Sequence, residues 1–268
     1  MSEVAARRRE PDPSARAPAR FAGVAVANLT QDETVDFIER CIREKRLRRM
    51  AVVNAAILLD AEKNADFRAV LRESDLVTAD GMAVVWASWL SARFGGRLIA
   101  RVTGPDTVTA LAARAARLGW RLYLLGAQPG VAERAAQRLQ RDFPGLRIVG
   151  CHDGYFDRGR SDAVAEAIRL TGADALLAAM GSPEQELWLH RYGAKTGVSF
   201  CLGVGGCFDV LAGTRTRAPV WAQRVGLEWL FRFLQEPRRL WRRYLIGNVQ
   251  FLFFLLREWK RARHNVKL

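Results

Sequence analysis

The chain has 268 residues, half of them hydrophobic, and a formal net charge of +14. That length suits one large α/β domain plus an appendage, and the positive balance points to an anionic partner: nucleic acid, anionic lipid or a phosphorylated substrate. Four cysteines (Cys41, Cys151, Cys201, Cys207) without CxxC spacing and three scattered histidines (His152, His190, His264) argue against a zinc site and suit a reducing cytoplasm, and no apolar run reaches the ~18 residues that a bilayer-spanning helix needs.

Met1–Arg20 is rich in Arg, Ala and Pro and has no apolar h-region, so it reads as a disordered arm rather than a secretory signal. Val35, Ile38 and Ile42 give helical spacing over Gln31–Lys45. Met50–Val53 reads as a buried strand ending at Asn54, with a helical run from there to Ala61. Leu76–Ala79 is a second such strand; it stops at Asp80-Gly81, and a helix follows from Met82 to about Ala92. After a Phe94-Gly-Gly96 loop, Arg101-Val-Thr-Gly104 leads into a helix starting near Pro105. A regular alternation then sets in. Strands are expected at Arg121–Leu125, Leu146–Cys151, Ala173–Ala178 and Val198–Leu202, and helices at Val131–Arg141, Arg160–Leu170 and Leu187–Lys195. Such alternation predicts an α/β fold: a Rossmann-like, mostly parallel sheet with helices on both faces. Near Leu211 strands disappear. Pro219–Leu234 is amphipathic and aromatic, Glu236-Pro237 interrupts it and restarts a helix, and Arg238–Arg263 mixes basic with apolar residues. The division expected is an arm (1–20), a catalytic domain (21–213) and a helical, basic C-terminal appendage (214–268).

Asn54 and Asp80 each stand where a strand ends and a helix begins. Both read in two ways, as helix N-caps or as groups at the carboxyl edge of an open sheet, where such folds bind ligands. Four further strand ends carry glycine turns: Gly126; Gly154-Tyr155-Phe156; Gly181-Ser-Pro-Glu-Gln185; and Gly203-Val-Gly205-Gly206. Glycine lets backbone N–H groups approach a phosphate, and the helix N-termini that follow favour negative charge. Each turn alone is weak evidence, since tight turns explain such runs too, but four along one edge point to a nucleotide-type ligand. Tyr155 reads equally as a base-stacking or a rim residue. Asp209 reads as a ribose or base ligand or as another cap. No DxD motif is present, so a metal-held diphosphate is not supported, and its charge would fall to arginines such as Arg101 and to backbone donors.

From Arg215 to Leu268 there are 13 Lys and Arg against 3 Glu, a net of +10. Within this tail lies the apolar stretch Leu245–Leu256, flanked on both sides by basic residues. A segment of that kind lies on anionic lipid or packs on the domain with its charges solvated. Its greasy face makes nucleic acid the weaker partner. Arg232, Arg239 and Arg242 are spaced to converge on a diphosphate, although Pro237 interrupts the helix they would share.

From about Phe21 to at least Tyr244 the chain resembles the bacterial WecG/TagA/CpsF glycosyltransferases. The resemblance rests on Asn54, Asp80-Gly81, Arg101-Val-x-Gly104, Gly154-Tyr-Phe156, Gly181-x-Pro-x-Gln-Glu186, Gly203-Val-Gly-Gly-x-Phe-Asp209, Arg217-Ala-Pro219, Gly226-Leu-Glu-Trp-Leu230 and Glu236-Pro-x-Arg239. It implies the Rossmann-like fold called GT-E and an inverting, metal-independent transfer without a cofactor. The sugar would move from a UDP-sugar to a polyprenyl-diphosphate-linked saccharide at the inner, cytoplasmic face of the membrane. It implies that Asp80 is the general base and that Asn54, Arg101 and Gln185 line the same pocket. The loops Gly154–Phe156, with Tyr155, and Gly203–Asp209, with Gly205, Gly206 and Asp209, would cradle UDP, to which the glycine-turn reading adds Gly126 and Gly181, and Arg232, Arg239 and Arg242 would serve the diphosphate and the membrane. Val52 stands where the family often has Thr, which leaves the donor and acceptor sugars open. A homo-oligomer is compatible with the sequence. The rival reading is a non-catalytic, membrane-attached nucleotide-binding regulator of polysaccharide assembly. A dehydrogenase or methyltransferase would need a fuller GxGxxG after the first strand.

Overall fold

The computed structural model describes residues 16–90, 95–224, 226–235, 237–241 and 246–264. Its first element is a small antiparallel hairpin of β1 (Ala19–Phe21) and β2 (Val24–Val26). This corrects the expected arm over residues 1–20. Ala19 is wholly buried and Arg16 is ion-paired with Glu33, so ordered chain begins before Phe21. A three-residue strand is too short for its alternation to stand out from an Arg/Ala/Pro-rich background.

The main sheet has six strands: β3 (Arg48–Val53), β4 (Leu76–Ala79), β5 (Arg121–Gly126), β6 (Arg147–His152), β7 (Ala175–Ala179) and β8 (Phe200–Gly203). All pair in parallel, in the order β4-β3-β8-β7-β5-β6. The expected Rossmann-like α/β sheet is therefore present, and it is wholly rather than mostly parallel. Because both faces are covered, the central strands read as continuous apolar runs.

The helices of the domain are α1 (Gln31–Glu44), α2 (Ala55–Lys63), α3 (Ala65–Arg72), α4 (Met82–Leu90), α5 (Gly104–Leu118), α6 (Val131–Asp142), α7 (Ser161–Thr171), α8 (Glu184–Tyr192) and the short α9 (Cys207–Leu211). Local chemistry sets their starts. Thr30 and Glu33 form a reciprocal capping box on α1, and Thr103 caps α5 with Pro105 in its first turn. Helix α8 begins three residues before the expected Leu187, with Glu184 and Glu186 in its first turn where the helix dipole favours acids.

Alternate residues of each strand face opposite layers. Met50, Val52, Leu122, Leu124, Leu177 and Leu202 pack in one core with α1, α5, α6 and α9. Their neighbours point the other way: Ala51, Val53 and Val77 toward α2, α3 and α4, and Tyr123, Leu125 and Leu176 toward α7 and α8.

The tail forms α10 (Val220–Arg224), α11 (Glu228–Gln235), α12 (Pro237–Trp241) and α13 (Gly247–His264). Helix α13 is amphipathic in an unusual sense. Phe251, Phe254 and Leu255 are buried in the core shared with Leu58 and Leu59 of α2. Glu258 accepts a hydrogen bond from the Ala22 N–H at 3.0 Å, and Arg257 pairs with Glu62 at 2.9 Å. A second apolar stripe at Val249, Leu252, Phe253 and Leu256 is about half exposed (48–60%). Among the described residues no helix is long and apolar enough to cross a membrane.

Candidate active site

In a parallel sheet every strand delivers its carboxyl end to one edge. In sheet order that edge carries Asp80 after β4, Asn54 after β3, Val204-Gly205-Gly206 after β8, Met180-Gly181 after β7, Gly126 closing β5, and Asp153-Gly154-Tyr155 after β6. Residues scattered over 150 positions of sequence thus line one crevice, and backbone hydrogen bonds stitch its rim. The Asp80 N–H donates to the Val53 carbonyl at 2.7 Å, Val204 to Ala178 at 2.8 Å, Ala127 to Ala179 at 2.8 Å and Gly154 to Ala127 at 2.9 Å.

Gly126 has to be glycine. Its φ is +130°, and a Cβ there would lie 2.5 Å from the Ala179 carbonyl carbon on the neighbouring strand. Tyr155 is 68% exposed at the end of β6, and its hydroxyl accepts a hydrogen bond from Gln128 Nε2 at 2.7 Å. The ring therefore stands on the rim, held at its tip, with its faces open.

Asn54 is a helix cap in this structure: its Oδ1 accepts from the N–H groups of Ala56 (3.1 Å) and Ile57 (3.2 Å). That use of the oxygen leaves the amide NH2 as the group it can offer to a ligand. Arg101 is brought beside Asp80 by its neighbour, since the Val102 N–H donates to the Ala79 carbonyl at 2.8 Å. Its guanidinium Nη1 donates to Glu228 Oε2 of α11 at 3.0 Å. Gln185 is almost wholly buried beneath the turn after β8, its Oε1 accepting the Gly205 N–H at 3.0 Å. Asp209 lies on α9, with its carboxylate 3.8 Å from Arg215 Nη1. The side chains of Arg232 and Arg239, and the whole of Arg242, lie outside the described residues.

Four groups to which sequence reasoning gave no role in the site are linked to this edge: Arg217, Asp106, Glu228 and Cys207. Arg217 Nη1 bonds Asp106 Oδ1 at 2.7 Å, and its Nε lies 3.8 Å from Glu228 Oε1. Glu228 thus faces both Arg101 and Arg217. Burial pushes the Asp106 carboxyl up, but hydrogen bonds from Arg217 and Thr103, with the charges of Arg217 and Arg101, outweigh it and hold the group below its ordinary value. The Cys207 thiol, at the start of α9, is pushed up to about 12 by burial; the charges of Arg217, Asp106, Asp80 and Asp209 all reach it. One arginine and three aspartates from four separate segments therefore lie near enough for their charges to act on one buried thiol. The only sequence signal for Arg217 and Glu228 was their place in the Arg-Ala-Pro and Gly-Leu-Glu-Trp motifs. Among the described residues no three His, Cys, Asp or Glu side chains gather closely enough to hold a metal ion.

Residues 19–265 match the family described as the Glycosyl transferase WecG/TagA/CpsF family. The chain belongs to this family. It is accordingly an enzyme, a glycosyltransferase of polysaccharide synthesis that uses a nucleotide sugar as donor and passes the sugar to an acceptor. The match runs through the tail as well as the sheet, so α10 to α13 are part of the family's unit and not an unrelated extension. For a transferase of this kind the crevice offers two distinct ends: a carboxylate with an arginine at the β4 side, and glycine turns at the β5 to β8 side.

Proposed function

We propose that this glycosyltransferase is an inverting, metal-independent enzyme. It moves a sugar of the N-acetylmannosamine, N-acetylmannosaminuronic acid or glucose type from a UDP-sugar to a polyprenyl-diphosphate-linked saccharide. The product is an intermediate of a bacterial exopolysaccharide, capsule or cell-wall polymer, and the reaction takes place at the inner face of the cell membrane. The observation that carries the reading is the division of one sheet edge into a carboxylate end, Asp80 with Arg101, and a glycine-turn end.

In this reading the turns bearing Gly126, Gly181, Gly205 and Gly206 hold the UDP diphosphate through backbone N–H groups, and Tyr155 and Asp209 meet the nucleoside. Asp80 takes the proton from the acceptor hydroxyl as that oxygen bonds to the anomeric carbon. The bond from that carbon to the UDP oxygen breaks on the opposite face, UDP leaves with the electron pair, and the configuration inverts. Charge developing on the diphosphate is met by Arg101, by the tail arginines Arg232, Arg239 and Arg242, and by the turn N–H groups. Asn54 supplies its NH2 to the same pocket.

The division of labour is between a catalytic domain (21–213, extended back to Ala19 by β1) and an appendage (214–268) that rests on anionic lipid. Support comes from the net +10 of the tail and from the half-exposed stripe Val249, Leu252, Phe253 and Leu256, followed by Arg257 and Lys260. Each basic residue near an anionic surface contributes about 1 kcal/mol, so a few suffice for peripheral attachment.

The test is Asp80→Asn. UDP affinity measured by calorimetry should stay within about threefold of wild type, while transfer to a lipid-diphosphate-sugar falls by at least ~100-fold. A variant that transfers at the wild-type rate removes Asp80 as the base. A panel of UDP-sugars, scored by protection against thermal unfolding, then selects the donor.

A further inference from the structure

Beneath the turn after β8 lies a pair of buried polar side chains bonded to one member of the crevice rim, the Gly205 peptide. Gln185 is 3% exposed; its Oε1 accepts the Gly205 N–H at 3.0 Å, and its Nε2 donates to Glu186 Oε1 at 2.7 Å. The Gln185 amide also occupies the space beside Gly203, where a Cβ would come within 2.7 Å of Nε2. Glycine at 203 is thus what lets this side chain reach the turn. Glu186 is 4% exposed, and its Oε2 is buried without a hydrogen-bond partner among the described residues.

The donor and acceptor logic runs in one direction. A backbone N–H can only donate, so Gln185 must turn its oxygen toward Gly205 and its NH2 away. The flipped amide would set its NH2 against the Gly205 N–H, and an acceptor on the far side strengthens the same preference. Glu186 Oε1 is that acceptor. A carboxyl group kept in an apolar layer is costly, and here it is retained at the one position that orients Gln185.

We propose that Glu186 is a positioning residue for the nucleotide turn Val204–Gly206, acting through Gln185. It sets the Gln185 amide, and the amide in turn sets the Gly205 peptide, so that the turn after β8, and with it the Gly206 N–H, is ordered before the donor arrives. This rests on the reading that the turn holds the UDP diphosphate. Gly205 itself has no heavy atom within 4 Å of its Cβ position, but its φ of +53° is left-handed, so a side chain there both strains the turn and projects into the space beside it.

The experiment measures UDP affinity by calorimetry, Gly205 amide exchange by NMR, and the melting temperature. It compares wild type with Glu186→Leu, Glu186→Gln, Gln185→Met and Gly205→Leu. Glu186→Leu and Gln185→Met should each weaken UDP binding by about tenfold, the worth of one buried hydrogen bond, and speed exchange at Gly205. Glu186→Gln keeps a carbonyl acceptor and should stay within about threefold of wild type. Gly205→Leu should abolish binding. If Gly205→Leu loses UDP while folded Glu186→Leu binds it like wild type and protects Gly205 equally, the relay is overturned and the turn reading survives. If Gly205→Leu binds UDP like wild type, the turn reading falls first and takes the proposal with it. Should Glu186→Leu not fold, Gln185→Met carries the decision, and wild-type affinity there overturns the relay.

Discussion

Arg101 and Glu228 stand 127 residues apart in sequence and meet through a hydrogen bond of 3.0 Å from Arg101 Nη1 to Glu228 Oε2. Arg101 sits next to Val102, whose N–H is bonded to the residue preceding Asp80, and Glu228 opens α11 in the tail. Close by, Gly226 packs against Met82 and Trp86 of α4, the helix that follows Asp80-Gly81. The tail is therefore attached to both flanks of the aspartate, once by packing and once by charge. Both partners of the pair are largely shielded, with 17% and 22% of their side-chain surface exposed, so the interaction is stronger than a solvated surface pair.

This coupling is open to a double-mutant cycle. Glu228→Gln and Arg101→Gln, made singly and together, should each lower kcat/KM, with effects on transition-state energy that fail to add by about 0.5–3 kcal/mol. Additive losses would mean that the two side chains act independently and that the pair does not link tail to site.

Helix α13 has two apolar faces with different expected roles. Phe254 is fully buried against the α2 side of the core, so Phe254→Ala should cost about 3–5 kcal/mol in chemical denaturation. Leu252→Glu with Phe253→Glu alters the exposed face only and should leave stability within about 1 kcal/mol. That second variant should nevertheless lose co-sedimentation with anionic phospholipid vesicles. Unchanged sedimentation would remove α13 as the lipid-facing element.

Asn54 can be divided into its two ends. Asn54→Ser keeps an oxygen for the α2 cap and should hold stability within a few tenths of a kcal/mol, whereas Asn54→Ala should cost about 1 kcal/mol. If the NH2 serves the pocket, both variants lose transfer activity to a similar degree. Full activity in Asn54→Ser would leave the cap as the residue's whole task.

The buried carboxyl of Glu186 gives a pH signature. Burial pushes it above the ordinary glutamate value of 4.5, and the hydrogen bond from Gln185 offsets only part of that rise. Above pH 4.5 the unfolded chain has released this proton while the folded chain still holds it, so the group's contribution to stability falls as pH rises toward the folded value. Glu186→Gln lacks that dependence. Melting curves of the two proteins from pH 4 to 8, about the span over which the proteins can be compared, should therefore show the variant gaining on wild type as pH increases. A constant gap across the series would mean that the folded carboxyl titrates normally.

Much of the fold was legible residue by residue. The core strands are apolar runs that stop at Asn54, Asp80, Gly126 and Gly203, and caps such as Thr30 and Thr103 act within a single turn of their own helix. Parallel pairing follows from the alternation of strand and helix, and with it the knowledge that those strand ends share an edge. The sequence by itself thus determined the fold class, the list of edge residues and the basic, aromatic character of the tail.

What it left undecided depends on strand order and on which distant loops meet. The partners of Gln185 are one example: the placement of β8 beside β7 sets it under the Gly205 turn, next to Glu186. Arg217 and Glu228 were marked by their motifs alone, and their partners are set only by the tail folding back to α5 and Arg101. Even the apolar run in α13 held two faces that only packing could separate, one against Leu58 and one toward solvent. Caps and periodicities are set by neighbours within a few residues. A hydrogen-bond partner more than a hundred residues away exists only once the sheet has brought its edges together, and that is the level at which the site of this protein is decided.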